Sequence, residues 1–407
     1  MSVNIVQLHE ATLETLRKKA DEAGIADSAS YRRHDLIFEI ARALGERGGT
    51  LLGRGVLEVH GEGFGFLRAA GDNFLPGNDD IYVSQSQIRR FKLQTGDTVI
   101  GMVRPPKDGE RYTALLRVES VNGESPGQVS PSFDDLTAIH PDDRIDMGGQ
   151  ALLRPIEALA PLALGHRGLL VSPPESGGRE VLRAMVQSAT ADDDLAVTVL
   201  LVASAPEDIR EWRNSTSAEV IATPYDEPQG RHLQVAEIVF ERARRMVERG
   251  DDVVLFVDSL TRLTRACLAE IPHVGRAVDG IDVAALNRLR RHLGAARALE
   301  EGGSLTVVGV LHGTEDPLAR ALAADLAEVL SWRVDLSADL ARRGLRPAID
   351  VERSSSRHTD KVHDHDSLEL LARWRAQRTG DSVDDAVRLL ELTRGTPMLD
   401  SVATTGQ

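Results

Sequence analysis

The sequence predicts a multi-domain protein: a short helical N-terminal part, a small β-barrel, and a large α/β domain with a mainly parallel sheet. Three observations carry this. Apolar residues recur at helical spacing up to the Gly48-Gly49 pair. Five short alternating segments follow between residues 51 and 121. From near Met147, continuous apolar runs alternate with amphipathic stretches. A chain of 407 residues has room for two or three domains, each with its own core.

The N-terminal helices are read from Leu8, Leu13 and Leu16, and from Leu36, Ile37, Ile40 and Leu44, which fall at helical spacing. This subdomain is taken as residues 1–50. The barrel is taken as residues 51–122. Its strands are VLEVH, GFGFLRA, DIYVS, TVIGMVR and YTALLRVESV, separated by Gly, Asp, Asn and Pro. Residues 123–146, rich in Gly, Ser, Pro and Asp, read as a linker. Residues 147–407 form the α/β domain. RGLLVSPP, AVTVLLVAS, DVVLFVDS and SLTVVGVL are strands covered on both faces, and HLQVAEIVFERARRMVERG is an amphipathic helix ending at Gly250.

Composition narrows the function. A charged fraction of 27% is ordinary for a globular protein. The single Cys267 excludes an intrachain disulfide and a Cys-based zinc site, and reads as packing. The first residues carry no apolar signal region, and no apolar run reaches the ~18 residues of a membrane span. The expectation is a cytoplasmic protein with no membrane partner and no metal held by its own side chains. A net charge of −15 argues against a uniformly basic nucleic-acid coat. A local basic stripe is nevertheless present: residues 86–117 hold seven Lys/Arg against three Asp/Glu.

That stripe lies beside an aromatic pair. In Gly63-Phe64-Gly65-Phe66-Leu67-Arg68, Phe64, Phe66 and Arg68 share one face of a strand, and Tyr82 can extend it. The pair reads either as barrel core or as a platform on which bases stack, with Gly63 and Gly65 leaving room for a base. Here the sequence resembles the RNA-binding domain of the bacterial transcription termination factor Rho family, through GFGFLR, DDIYVS, QIRRF, RPPK and GERY. The resemblance implies an OB/cold-shock-like barrel that grips pyrimidine-rich single-stranded RNA. It places that role on Phe64, Phe66, Arg68, Asp80, Tyr82, Glu110, Arg111 and Tyr112. RRHDLIFEIARAL resembles the helical subdomain that precedes the barrel.

FDDLTAIHP, YDEPQGRHLQVAE, VVLFVDSLTRLTRA, GAARALEEGGSLT and RPAIDVERSSSR resemble the same family's RecA-like ATPase. The resemblance implies a hexameric ring, ATP and Mg²⁺ bound between subunits, and RNA in the channel. The residues that would hold the nucleotide are Pro174, Ser176, Gly177, Gly178 and Arg179. A P-loop needs a Lys for the phosphates and a hydroxyl for Mg²⁺. Without gaps, Gly178 takes the Lys position, Arg179 the hydroxyl position, and Glu175 replaces a Lys. A one-residue shift would instead offer Arg179 as the phosphate cation. Ser204 stands where the family's proposed base Glu stands, Gly344 replaces an Arg, and Arg346 replaces an adenine-stacking Phe. Asp258 is retained as a Walker B carboxylate or as a fold feature at a strand end. Arg357 is retained as an arginine finger or as an interface ion pair. In the channel, Arg276 and Arg290 are candidate RNA contacts, and Asp279 would repel phosphate.

The expected function is a Rho-like homologue that binds single-stranded RNA with impaired or lost ATP hydrolysis. It would regulate termination as a homohexamer or within a mixed ring alongside an intact Rho, with RNA polymerase as a further partner. The alternative is an active ATP-dependent RNA translocase.

Overall fold

The computed structural model describes residues 11–394, apart from 29–30, 32–35, 37–38, 41–42, 44–50, 78–79, 105, 108, 129–130, 148, 271–276, 279–280 and 314–315. The described residues fall into two compact units. One runs to Pro131 and includes Glu237–Met246; the other comprises Ser132–Ala236 and the chain from Val247 onward.

In the first unit, helix α1 (Leu13–Ala23) starts where the Thr12 hydroxyl accepts the Thr15 N–H, and stops at Gly24 in the left-handed region. Leu16 and Ala20 pack with Leu36, Ile40 and Ile100; Leu8, Ile37 and Leu44 of the expected helices lie outside the described residues. The strands β1 (Leu51–Val59), β2 (Gly65–Arg68), β3 (Ile81–Val83), β4 (Thr98–Arg104) and β5 (Thr113–Val121) close in the order β1-β2-β3-β5-β4. Alternation sends Leu57, Leu67, Ile81, Val83 and Leu115 inward to a shared core, and a register shift between β4 and β5 lets Val118 join it. A short helix, α2 (Gln85–Phe91), sits between β3 and β4. Its capping box joins Ser84 and Gln87, a signal that the strand-by-strand reading of the sequence passes over.

The second unit holds a nine-stranded sheet. Its strands are β6 (Ala138–Ile139), β7 (Arg167–Ser172), β8 (Leu195–Ser204), β9 (Glu219–Pro224), β10 (Asp252–Asp258), β13 (Arg297–Leu299), β14 (Ser304–His312), β15 (Trp332–Leu336) and β16 (Ile349–Ser356). The two-residue strands β11 (Ala277–Val278) and β12 (Ile281–Asp282) pair separately. The main path is β16-β15-β7-β14-β10-β8-β9, parallel throughout except for the β15–β16 pair. Helices α3 (Arg154–Leu159), α4 (Gly178–Ala189), α5 (Pro206–Ser215), α6 (Gln229–Val247), α7 (Leu260–Glu270), α8 (Val283–Gly294) and α9 (Pro317–Leu326) connect these strands. Both faces of the sheet are therefore covered, which is why its central strands are continuous apolar runs. The second half of the expected linker is built into this unit. Phe133 is buried, with the Arg297 guanidinium 4.8 Å from its ring centroid, and β6 pairs with β13.

One carboxyl is buried in this core at a cost. Glu157 of α3 is 2% exposed. It accepts a 3.4 Å hydrogen bond from the Met147 N–H and lies 4.0 Å from Arg144. Burial raises its pKa to about 7, with Arg144 opposing the rise. The folded state thus holds a proton that the unfolded state releases near 4.5. Stability contributed below that value is lost as pH rises toward 7. Glu157→Gln is expected to match the native protein near pH 4.5 and to exceed it by roughly 3 kcal/mol above pH 7. Urea denaturation at both pH values checks this, and a difference independent of pH would contradict it.

Candidate functional site

Two places collect most of the singled-out residues, one face of the barrel and the carboxyl ends of the parallel strands; Arg357 lies at the opposite edge, its backbone N–H donating to the Ser331 carbonyl before β15, and Arg290 lies on α8.

On the barrel, pairing register decides which side chains meet. Glu58 lies opposite Phe66, Phe66 opposite Tyr82, and Tyr82 opposite Ala114. Opposed residues share a face, as do residues two apart. One outer face therefore gathers Glu58, His60, Phe64, Phe66, Arg68, Tyr82 and Tyr112. Ring centroids are 5.8 Å apart for Phe64–Phe66, 5.9 Å for Phe64–Tyr82, 6.0 Å for Phe66–Tyr82 and 4.8 Å for Phe66–Tyr112. Phe64 and Phe66 are half-buried, and the barrel core is built without them, so the core alternative for this pair does not hold. The glycines serve the fold rather than an incoming base. A Cβ on Gly65 would lie 2.6 Å from the Glu58 carbonyl oxygen, and Gly63 turns the hairpin at φ +87°.

Arg68 takes a different place from the one its strand position suggests. It is 3% exposed. Its Nε and Nη2 donate to Glu58 at 2.8 and 2.6 Å, and Nη1 pairs with Asp80. Asp80 also accepts the Gly77 N–H at 2.8 Å. A buried guanidinium needs such compensation, and two carboxylates supply it. Its Cζ lies 5.1 Å from the Phe66 centroid, so Arg68 supports the ring. Glu58, which the sequence reading did not single out, is the second half of this clamp.

The loop before β5 is fastened by Glu110. Arg104 donates to both of its carboxylate oxygens, and the Lys107 N–H donates at 3.0 Å. The Arg104 hydrogen bonds, with that of Lys107, hold the Glu110 pKa at about 2. This leaves Arg111 exposed with its guanidinium 5.2 Å from the Tyr112 centroid.

In the second unit, β7, β14, β10 and β8 end at Ser172, His312, Asp258 and Ser204. Ligands of open α/β sheets bind beyond such ends. The loop from Pro173 to Gly177 carries exposed Pro174, Glu175 at φ +63°, and buried Ser176, whose hydroxyl donates to the Pro173 carbonyl at 2.6 Å. Gly177 follows at φ +84° and caps α4. Gly178 is pressed against β7: a Cβ there would lie 1.8 Å from Ser172 Oγ and 2.4 Å from Ser172 Cβ. Arg179 turns toward α5, where Nη1 and Nη2 donate to the two Asp208 oxygens at 2.7 and 2.8 Å. Arg183 pairs with Glu211, and Gln187 Nε2 donates to the Ser215 carbonyl at 3.3 Å. Spaced four apart on α4, these three side chains form a ladder along α5.

Asp258 is buried and meets His312 Nε2 at 2.7 Å. Burial pushes its carboxyl up, but the His312 hydrogen bond and the His312, Arg262 and Arg179 charges outweigh that and keep the pKa below its ordinary value. Arg262 Nη1 donates to Ser204 Oγ at 3.0 Å and to the Val202 carbonyl at 3.1 Å. His312, Arg262 and Asp208 were not foreseen, because spacing in sequence does not reveal which strand ends lie level. Arg346 is exposed, 4.0 Å from Glu180, and Gly344 occupies a turn at φ +82°. Arg357 donates through Nη2 to the Glu328 carbonyl at 3.0 Å, just past the end of α9. Arg290 pairs with both oxygens of Asp325. Arg276 and Asp279 lie outside the described residues.

Comparison with known proteins follows the same division. Residues 7–49 match the Rho termination factor N-terminal domain, and residues 53–127 the Rho termination factor RNA-binding domain. Residues 153–356 match the nucleotide-binding domain of the ATP synthase alpha/beta family. The chain is 39% identical over 380 residues to the transcription termination factor Rho of Pseudomonas aeruginosa, covering 91% of each chain. It is 40% identical over 396 residues to that of Haemophilus influenzae, covering 94% of each. Two solved structures share the fold over much of the chain. An ATPase of a bacterial type III secretion system gives a TM-score of 0.54 at 18% identity, over 66% of this chain and 84% of its own. An ATP synthase subunit of Nanoarcheaum equitans gives 0.51 at 16%, over 59% and 64%. With its three regions matched in order and identity sustained over nearly its whole length, the chain belongs to the Rho transcription termination factor family.

Proposed function

We propose that this protein is a Rho-family factor that binds pyrimidine-rich single-stranded RNA through its barrel and does not hydrolyse ATP, regulating termination as an inactive subunit or competitor. The assembly is a homohexamer or a ring mixed with an intact Rho, working in the cytoplasm on transcripts leaving RNA polymerase. The observation that carries this reading is Gly178. The P-loop Lys position has no side chain, and Ser172 fills the space that one would enter.

The other groups around the site support the same reading. ATP and Mg²⁺ need a phosphate cation, a metal-binding hydroxyl and a base for water. Arg179, in the hydroxyl position, is engaged by Asp208, so the shifted alignment gains nothing from it. Ser204 stands in place of the base and is held by Arg262. Asp258 hydrogen-bonds to His312. These residues do not fit a hydrolysing nucleotide site, and no catalytic step is assigned to them. Asp258 and Arg357 are remnants in this reading. The barrel keeps what RNA binding needs: four aromatic rings on one face, with exposed Arg111 against Tyr112. The competing reading, an active ATP-dependent translocase, draws on the retained Asp258 and Arg357 and on the high identity to Rho.

Three outcomes are expected. The purified protein should show no ATP hydrolysis above background with or without poly-cytidine RNA; RNA-stimulated turnover that disappears in Arg357→Ala would establish the translocase instead. In filter binding with the same RNA, Phe64→Ala/Phe66→Ala should weaken affinity by at least ~30-fold, since each stacked base contributes ~1–3 kcal/mol. Gly178→Ala should lower stability by ~1–3 kcal/mol through overpacking against Ser172, and adding Ser172→Gly should recover part of that loss. Equal stability of Gly178→Ala and the native chain would show that the space at position 178 is open.

A further inference from the structure

One aromatic side chain on the barrel face has no part in the reading so far. Strand β1 alternates, so Glu58 and His60 emerge on the outer face while Leu57 turns inward. Beyond the strand the hairpin closes tightly: the His60 N–H donates to the Phe64 carbonyl, and the Gly63 N–H donates to the His60 carbonyl, both at 2.8 Å. This closure lays the imidazole over Phe64. Their centroids are 5.3 Å apart and their planes differ by 12°, an offset stack. The same ring meets Phe66 edge-on at 5.6 Å. Among the described residues its buried Nε2 has no hydrogen-bond partner; it lies 3.7 Å from the Glu58 oxygen that already accepts two bonds from Arg68.

A histidine retained for the fold alone would have its ring nitrogens satisfied and its faces covered. Here the side chain is 37% exposed and continues the line of rings one position beyond Phe64. Glu58 stands at the junction, steadying Arg68 beneath Phe66 on one side and facing His60 on the other.

We propose that His60 is a base-contacting residue that adds one stacking position to the RNA track at the Phe64 end, with Glu58 as its positioning residue. The proposal rests on the reading of this face as an RNA site. The position accepts any base, because stacking uses the π-face that every base has.

Fluorescence anisotropy with oligocytidylates lengthened one nucleotide at a time tests it on the full chain. The affinity of the native protein rises with length and then levels off. His60→Ala is expected to bind the shortest oligomers normally, to level off one nucleotide earlier, and to bind the longest about 5- to 150-fold more weakly. His60→Phe, which keeps a stacking ring, should restore the native plateau. Glu58→Gln should lower the gain from the last nucleotide more than the affinity for the shortest oligomers. If His60→Ala behaves as native at every length, or is weakened equally at every length, the added position does not exist. Phe64→Ala/Phe66→Ala separates the two failures. Native binding by that variant sinks the RNA site itself, whereas its loss of binding beside an unchanged His60→Ala sinks only the role of His60.

Discussion

The parallel hydrogen-bond register of β7, β14, β10 and β8 governs the chemistry of the second unit. It brings Ser172 level with His312 and ends Asp258 and Ser204 at the same edge of the sheet. Each strand must leave the sheet there, and its next residues have to find hydrogen-bond partners among neighbours arriving at the same edge. In this chain those neighbours satisfy one another. Asp258 meets His312, Arg262 meets Ser204, and Arg179 closes on Asp208. A charge placed at a strand end is costly unless paired, and Asp258, Arg262 and Arg179 each have a partner supplied by an adjacent element.

The barrel uses the period of two for a different purpose. One set of alternate residues makes a small apolar core, and the other makes a ring of aromatics with a buried cation beneath it. Arg68 links the two: it sits between Glu58 and Asp80 and lies under Phe66. Rings on a surface would otherwise be free to turn, and fixing them before a ligand arrives lowers the ordering cost of binding.

Much of this was legible in the sequence. The apolar runs of the central strands, the five short barrel strands and the aromatic pair carry their periodicities openly, because burial on two faces, on one face, or on none leaves different patterns. What stayed hidden depends on long-range placement. Arg68 reads as a cation sharing the face of the aromatic pair, and only the structure shows two carboxylates closing on it. Gly63 and Gly65 read as room for a ligand, although the turn and the backbone of β1 require them. Phe133 and β6 read as linker because a two-residue strand has no period to detect. Arg290 reads as available to RNA until α8 and α9 are seen to bring it to Asp325.

The contact between Gly178 and Ser172 also bears on how such a chain changes over generations. With a β-carbon at 178 running into both atoms of the serine side chain, the two positions are epistatic: neither can be judged alone. A single mutation that puts any larger residue at 178 passes through a less stable protein unless position 172 has shrunk first. Glycine is thus the residue that position 178 accepts without a change at 172. Any route to a side chain at that position therefore runs through position 172 first.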